Sequence, residues 1–194
     1  MRRLLAFTDV VDRLTESFGQ WLKWLVLFSS VISAFNALMR YTIHYSSNAW
    51  LEIQWYMFAA MFLLASAYTL KRNEHVRIDV IAGRFSRRTQ IIIDIIGFAL
   101  FLMPVTLLIL YFAIPYALES MRNQEVSSNA GGLILWPAKL LIPVGFLLLT
   151  LQGLSELIKR LAYLAGLVDA SEFEKQAANP EDEIAAIKAA NKLD

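Results

Sequence analysis

Polar and apolar positions along the chain separate into blocks. Four stretches are almost wholly apolar: residues 21–39, 50–70, 91–114 and 133–154. Each is close to the ~20 residues that a helix needs to cross ~30 Å of hydrocarbon. The pattern predicts an all-α integral membrane protein with four transmembrane helices. Buried core helices of a water-soluble protein would be shorter. Ahead of the first block, Val11, Leu14, Phe18, Leu22 and Leu25 recur at spacings of three and four, with Asp12, Arg13, Glu16 and Gln20 between them. This predicts an amphipathic N-terminal helix over 1–20. It would rest on the bilayer surface, dock on a partner, or extend the first span into water. The membrane domain is expected over 21–160 and a polar, acidic cytoplasmic tail over 161–194. Within that tail Asn179 suits an N-cap and Pro180 a first helical position. A helix that short is marginal in water unless it packs on something.

Details inside the blocks refine the picture. Pro104 in the middle of the third block removes a backbone donor, so a kink is expected there; the fourth block holds Pro137, Pro143 and Gly145. The second block holds Ala59, Ala60, Ala65, Ser66 and Ala67. Small residues let membrane helices approach closely, so this is the face expected to meet a partner. Trp136 and Lys139 suit the outer membrane interface. The loop 71–90 interleaves Arg with Val76, Ile78, Val80, Ile81 and Phe85, a pattern suited to headgroups or to a docking partner.

Composition agrees with this reading, since 57% of the residues are hydrophobic against roughly 45–50% in soluble domains. A net charge of +1 gives no reason to expect nucleic acid as a partner. The distribution of charge is more informative. Of 18 Lys and Arg, only Arg40, Arg122 and Lys139 fall on one side of the four spans. Short loops rich in Lys and Arg stay in the cytoplasm, which predicts cytoplasmic termini and a cytoplasmic 71–90 loop. Loops 41–49 and 115–132 would then face outward. The chain has no cysteine, so disulfides and thiolate chemistry are out. Asp9, Asp12 and Glu16 precede the first block, unlike the short basic start of a cleaved signal peptide, and the first span is expected to be retained.

Candidate chemistry is sparse. His44 and His75 are the only histidines, and both fall in loops on opposite sides of the membrane. No span carries the axial His that a haem-binding anchor needs. There is no zinc-ligand set, phosphate loop or triad spacing. The expectation is therefore no catalytic, cofactor-binding or metal-binding residues, and no cofactor. His75 and Asp79, four apart, would share a helix face and make a local contact. Glu52 and Asp94 are the near-membrane acids, each close to a span end. A carrier needs polar groups or broken helices near the midplane, and these spans lack the polar groups. Glu52 admits three readings: a pair with Arg40 across the short first loop, a contact with a basic group on another subunit, or a solvated carboxylate at headgroup level.

The order of features then points to a family. Arg40-Tyr41, "WLEIQWYMF" from Trp50 to Phe58, "HVRIDV" from His75 to Val80, and "WPAKLLIPVGFLLLTLQ" from Trp136 to Gln152 follow one another. In this the chain resembles the small membrane subunit (DctQ-like) of tripartite ATP-independent periplasmic (TRAP) transporters, over roughly Trp21 to Arg160. The resemblance implies a small permease subunit of a secondary active, ion-gradient-driven organic-acid uptake system in the inner membrane of a bacterium or archaeon. Its implied partners are a large many-span membrane subunit, a periplasmic substrate-binding protein acting through the complex, and membrane lipids. The large subunit would hold the substrate and ion sites, and the small one would scaffold and anchor it. Residues implied for the partner interface or for structure are Arg40, Glu52, Trp55, Ala59, His75, Asp79, Trp136, Pro137 and Pro143. One acid, Glu52, stands here where some relatives show two. The alternative reading is the membrane anchor subunit of a redox enzyme complex, which would want a His within a span.

Overall fold

The computed structural model describes residues 2–72 and 85–168, with side chains from Leu4 onward. His75, Asp79, most of the 71–90 loop and the tail from residue 169 lie outside the described residues. Helix α1 runs Arg2–Thr42 and α2 runs Asn48–Arg72. Helix α3 (Arg87–Gly97) passes through a π turn, Phe98–Leu102, into α4 (Met103–Arg122). Helix α5 runs Trp136–Leu164. The described residues are thus all-helical apart from an isolated bridge between Val126 and Ile134. They contain four helical stretches long and apolar enough to cross a membrane.

The spans outrun the apolar blocks. The expected arm and the first span form one unbroken helix, so the chain enters the bundle without a hinge. The third stretch continues through Pro115 to Arg122, where a loop was expected from residue 115. Its inward stripe explains why: Thr106, Ala113, Ala117 and Ser120 are all buried, at helical spacing, on both sides of the proline. Pro104 acts on the turn before it. The Met103 N–H reaches back five residues to the Phe98 carbonyl, and this widened turn accommodates the donor that Pro104 lacks. The fourth stretch runs ten residues past its apolar block before stopping at Gly166. There the Gly166 N–H bonds the Tyr163 carbonyl and the Leu167 N–H bonds that of Ala162, with Gly166 at φ +71°, a glycine-closed helix end.

Helix α5 is the hub. It touches α1, α2, α3, the π turn and α4, while α1 and α2 also pack on each other. The contacts fix the directions. Glu16 meets Lys71 and Arg72 at one end of the α1–α2 pair, and Phe35 stacks edge-on against Trp50 at the other. The bundle therefore has a turn end, where α1 gives way to α2 and α4 to α5, and an arm end, where α1 begins and α5 finishes.

What is buried is not what a soluble core buries. The inward positions of α5 are Pro143, Gly145, Thr150, Gln152, Gly153, Ser155, Glu156, Lys159, Arg160 and Ala162. Large side chains such as Trp55, Phe62, Phe101 and Tyr111 point outward. Lipid tails are as apolar as leucine, so burial of apolar surface gives helices little reason to associate in a membrane. Close backbone approach and polar contacts do that work. In α2, Ala67 is spent in this way, 1% exposed within the chain, while Ala59, Ala60, Ala65 and Ser66 are half-buried.

Gly145 packs α5 directly against the α2 backbone at Leu63. A Cβ there would lie 2.7 Å from Leu63 Cβ and 2.9 Å from the Leu63 carbonyl oxygen. Backbone cannot step aside, so Gly145→Val should separate the two helices at a cost of about 1–3 kcal/mol. The thermal midpoint in detergent should fall for Gly145→Val and stay near wild type for Leu147→Val on the outer face; an unchanged midpoint for the former would refute the close crossing.

Candidate functional site

Two polar clusters close the ends of the bundle. At the turn end, the loop between α4 and α5 folds back on itself. The Ser127 N–H donates to the Leu133 carbonyl at 2.9 Å, and the Leu135 N–H to the Glu125 carbonyl at 2.8 Å. Glu52, on the first turns of α2, holds this loop from beneath. Its Oε1 accepts from the Ser127 hydroxyl at 2.5 Å and from the Asn129 amide at 2.8 Å, and its Oε2 accepts from the Leu133 N–H at 2.6 Å. Glu52 is only 3% exposed. Gly132 permits this seat, since a Cβ there would come within 2.9 Å of Glu52 Oε1. Asn48 donates to the Ala130 carbonyl and the Tyr56 hydroxyl to the Ile134 carbonyl, so α2 contributes three side chains to one loop.

Of the three readings of Glu52, the pairing with Arg40 does not form. Arg40 is exposed, and the Glu52 carboxylate is taken up by loop donors instead. The reason is geometric: the buried side of α2 at Glu52 faces the α4–α5 loop, while Arg40 ends α1 on the outside. A solvated headgroup-level carboxylate is equally at odds with the burial of Glu52. Beside it, Glu125 pairs with Lys139, whose ammonium also lies 4.4 Å from the centre of the Tyr116 ring. The Lys139 ammonium holds the Glu125 carboxyl below its ordinary value of 4.5.

At the arm end, four carboxylates meet four cations. Lys159 lies 2.5 Å from Asp12 and 2.9 Å from Glu156. Arg160 lies 2.5 Å from Glu156 and 3.1 Å from Asp94, with its guanidinium 4.6 Å from the centre of the Phe98 ring. Glu16 takes Lys71 and Arg72, each at 2.7 Å. Gln152, 0% exposed, ties the set together: it accepts from the Thr15 hydroxyl at 2.8 Å and donates to Asp12 at 3.0 Å. The charges named here sum to zero, and buried charges must be paired in this way to be tolerated at all.

Sequence reasoning missed this second cluster. Asp12 and Glu16 read as the polar face of an amphipathic arm, and Lys159 and Arg160 entered only in the Lys and Arg count of the cytoplasmic side. In the structure Thr8, Val11, Thr15 and Leu22 are the buried positions of the arm, whereas Leu14 and Phe18 point outward. The available signal was the stripe Gln152, Ser155, Glu156, Lys159 on one face of α5. Of the other expected site residues, Trp55 is 63% exposed, Pro137 is exposed, Ala59 and Trp136 are half-buried, and Pro143 is buried. The structure does not gather them into one site. Among the described residues no group of His, Cys, Asp and Glu could hold a metal ion.

Two substitutions test the clusters. Glu52→Ala strands the Ser127 hydroxyl, the Asn129 amide and the Leu133 N–H, and should lower the thermal midpoint by several degrees while opening loop 123–135 to protease. A loop as resistant as wild type would show that Glu52 does not hold it. Asp12→Ala leaves Lys159 with one acid fewer and should cost roughly 3 kcal/mol. Exposed Asp9→Ala is the comparator and should be near neutral; equal midpoints for the two would remove Asp12 from the network.

Neither curated proteins nor solved structures gave a match to this chain. The family described as "Tripartite ATP-independent periplasmic transporters, DctQ component" matches residues 29–162, a stretch that includes the Glu52 clamp and most of the α5 hub. It is a family of transporter components, not of enzymes, and its members work in a complex with a large membrane subunit and a substrate-binding protein. This multi-pass membrane chain belongs to the DctQ family, as the small permease subunit of a TRAP transporter.

Proposed function

We propose that the chain anchors and scaffolds the large transport subunit of an ion-gradient-driven uptake system for organic acids, and takes no part itself in binding substrate. The observation that carries this reading is the placement of charge. Residues 24–39, 53–70, 95–118 and 140–155, the middles of the four spanning stretches, contain no Asp, Glu, Lys, Arg or His. A substrate or ion pathway through a membrane needs polar groups or unwound backbone near the midplane. Here the buried charged groups are gathered at the two ends and paired or hydrogen-bonded there. Such a body suits holding, and it leaves conduction to a partner. The Lys and Arg bias supports cytoplasmic termini in a bacterial or archaeal inner membrane, with loop 123–135 outward. The open apolar surface supports lipid and partner helices as its neighbours.

The test is reconstitution. Liposomes holding this chain alone should show no uptake of a radiolabelled dicarboxylate above empty vesicles under an imposed sodium or proton gradient. Liposomes holding the chain with its large subunit, supplied with the binding protein and its organic acid, should accumulate the acid. Uptake by the chain alone would overturn the scaffold reading.

A further inference from the structure

A groove of about 480 Å³ opens on the membrane-facing side between α1 and α2. Ser29, Ser33, Ala34 and Ala37 of α1 face Gln54 and Phe58 of α2 across it. Ser29 and Ser33 and Ala37 follow at steps of four, so a strip of small residues runs along its wall. The polar groups in it distinguish this groove from an ordinary lipid-facing furrow. A helical hydroxyl is readily satisfied by a carbonyl one turn back, as Ser30 is by Val26 and Thr150 by Phe146. Ser29 is 2% exposed, yet its hydroxyl makes no such bond among the described residues. Gln54 is 9% exposed and gives one amide N–H to the Trp50 carbonyl. Its own carbonyl oxygen receives no donor among the described residues, and it lines the groove.

No helix can satisfy that oxygen from its own backbone, because every interior N–H is already committed. Lipid cannot satisfy it either. Counted from the Phe35–Trp50 contact, where α1 and α2 are level, Gln54 lies four residues, about 6 Å, and Ser29 six residues, about 9 Å, deeper into the bundle. Acyl chains at that depth offer no hydrogen-bond donor, and an unmet polar group in hydrocarbon is costly. The occupant must therefore be slim enough to lie on serine and alanine and must bring an N–H or O–H. We propose that the groove receives a membrane-spanning helix of the large TRAP subunit, which sets a donor side chain such as Ser, Thr, Asn or Tyr against Gln54 and Ser29. This places the docking face on the α1–α2 groove in place of the alanine face of α2, part of which is already used within the chain. It rests on the reading that the chain anchors that subunit.

The test uses the complex in native membranes. The photoreactive amino acid benzoylphenylalanine replaces Phe58, an aromatic side chain 53% exposed at the groove, and in a control replaces Phe101, 69% exposed on the π turn. Illumination should join position 58, and not position 101, to the large subunit. In parallel, Ser33→Leu, which fills the groove from an exposed position, should cut recovery of the large subunit about tenfold, and Ser33→Gly should not. Size exclusion of the Ser33→Leu chain, unchanged, shows that the fold survives. Adducts of position 58 with lipid only, or with a second copy of this chain, would overturn the assignment. So would crosslinking of the large subunit through position 101 alone, with the complex intact. A large subunit that fails to co-purify even with the wild-type chain would overturn the anchoring reading itself.

Discussion

Lys159 and Arg160, neighbours in sequence near the end of α5 that point to different helices, govern much of the arrangement. Between them they hold Asp12 of α1, Asp94 of α3 and Glu156 of their own helix. Carboxylates and ammonium groups near hydrocarbon cannot be left to find water, so each must stay within reach of its partner. That requirement fixes how far α1 and α3 slide along α5. Gln152 extends the same constraint two turns deeper, through Thr15 and Asp12. Apolar contact could not set this register, because in lipid it is nearly indifferent to sliding.

The opposite end solves a related problem by different means. There, beside the Glu125–Lys139 pair, Glu52 is matched to a hydroxyl, an amide and a backbone N–H from one loop, with no cation among the three. A salt bridge would fix two points in space. Three directed hydrogen bonds fix the conformation of the loop itself. Glycine at position 132 follows from that, since any side chain would compete with the carboxylate for the same space. Between the two ends, close crossings such as Gly145 on Leu63 let the helices approach without polar help.

How much of this could be read beforehand depends on whether the cause is local. The four spans were legible because bilayer thickness imposes a length on any apolar run. Glu52 stood out because a carboxylate at the head of an apolar helix is costly wherever it is. Its partners were not legible: Ser127, Asn129 and Leu133 lie 75 to 81 residues away and carry no signal of their own. The arm was legible only in part: Val11 and Leu22 of its apolar stripe turn inward, but beside a membrane other apolar side chains can face out and polar ones face in. Leu14 and Phe18 face out, while Thr15 and Asp12 face the polar stripe of α5. The same reversal accounts for the length of α5. Its last turns looked too polar to be part of a span, and they are polar because that is where it binds the other helices.

A body built this way has few polar groups left to spend. At the two ends, most of the buried donors and acceptors described here are engaged with one another. In the α1–α2 groove, within the apolar zone, the amide oxygen of Gln54 and the hydroxyl of Ser29 have no hydrogen-bond partner among the described residues. In water such groups would be unremarkable. In hydrocarbon they discriminate, because a passing acyl chain or a purely aliphatic helix leaves them unmet, whereas a helix with a correctly placed donor gains both contacts. A small subunit that must find one large partner among many membrane helices gains selectivity from a cost imposed on every wrong one. The same cost explains why the two polar ends are sealed: an unmatched charge there would invite the wrong neighbours as readily as the right one.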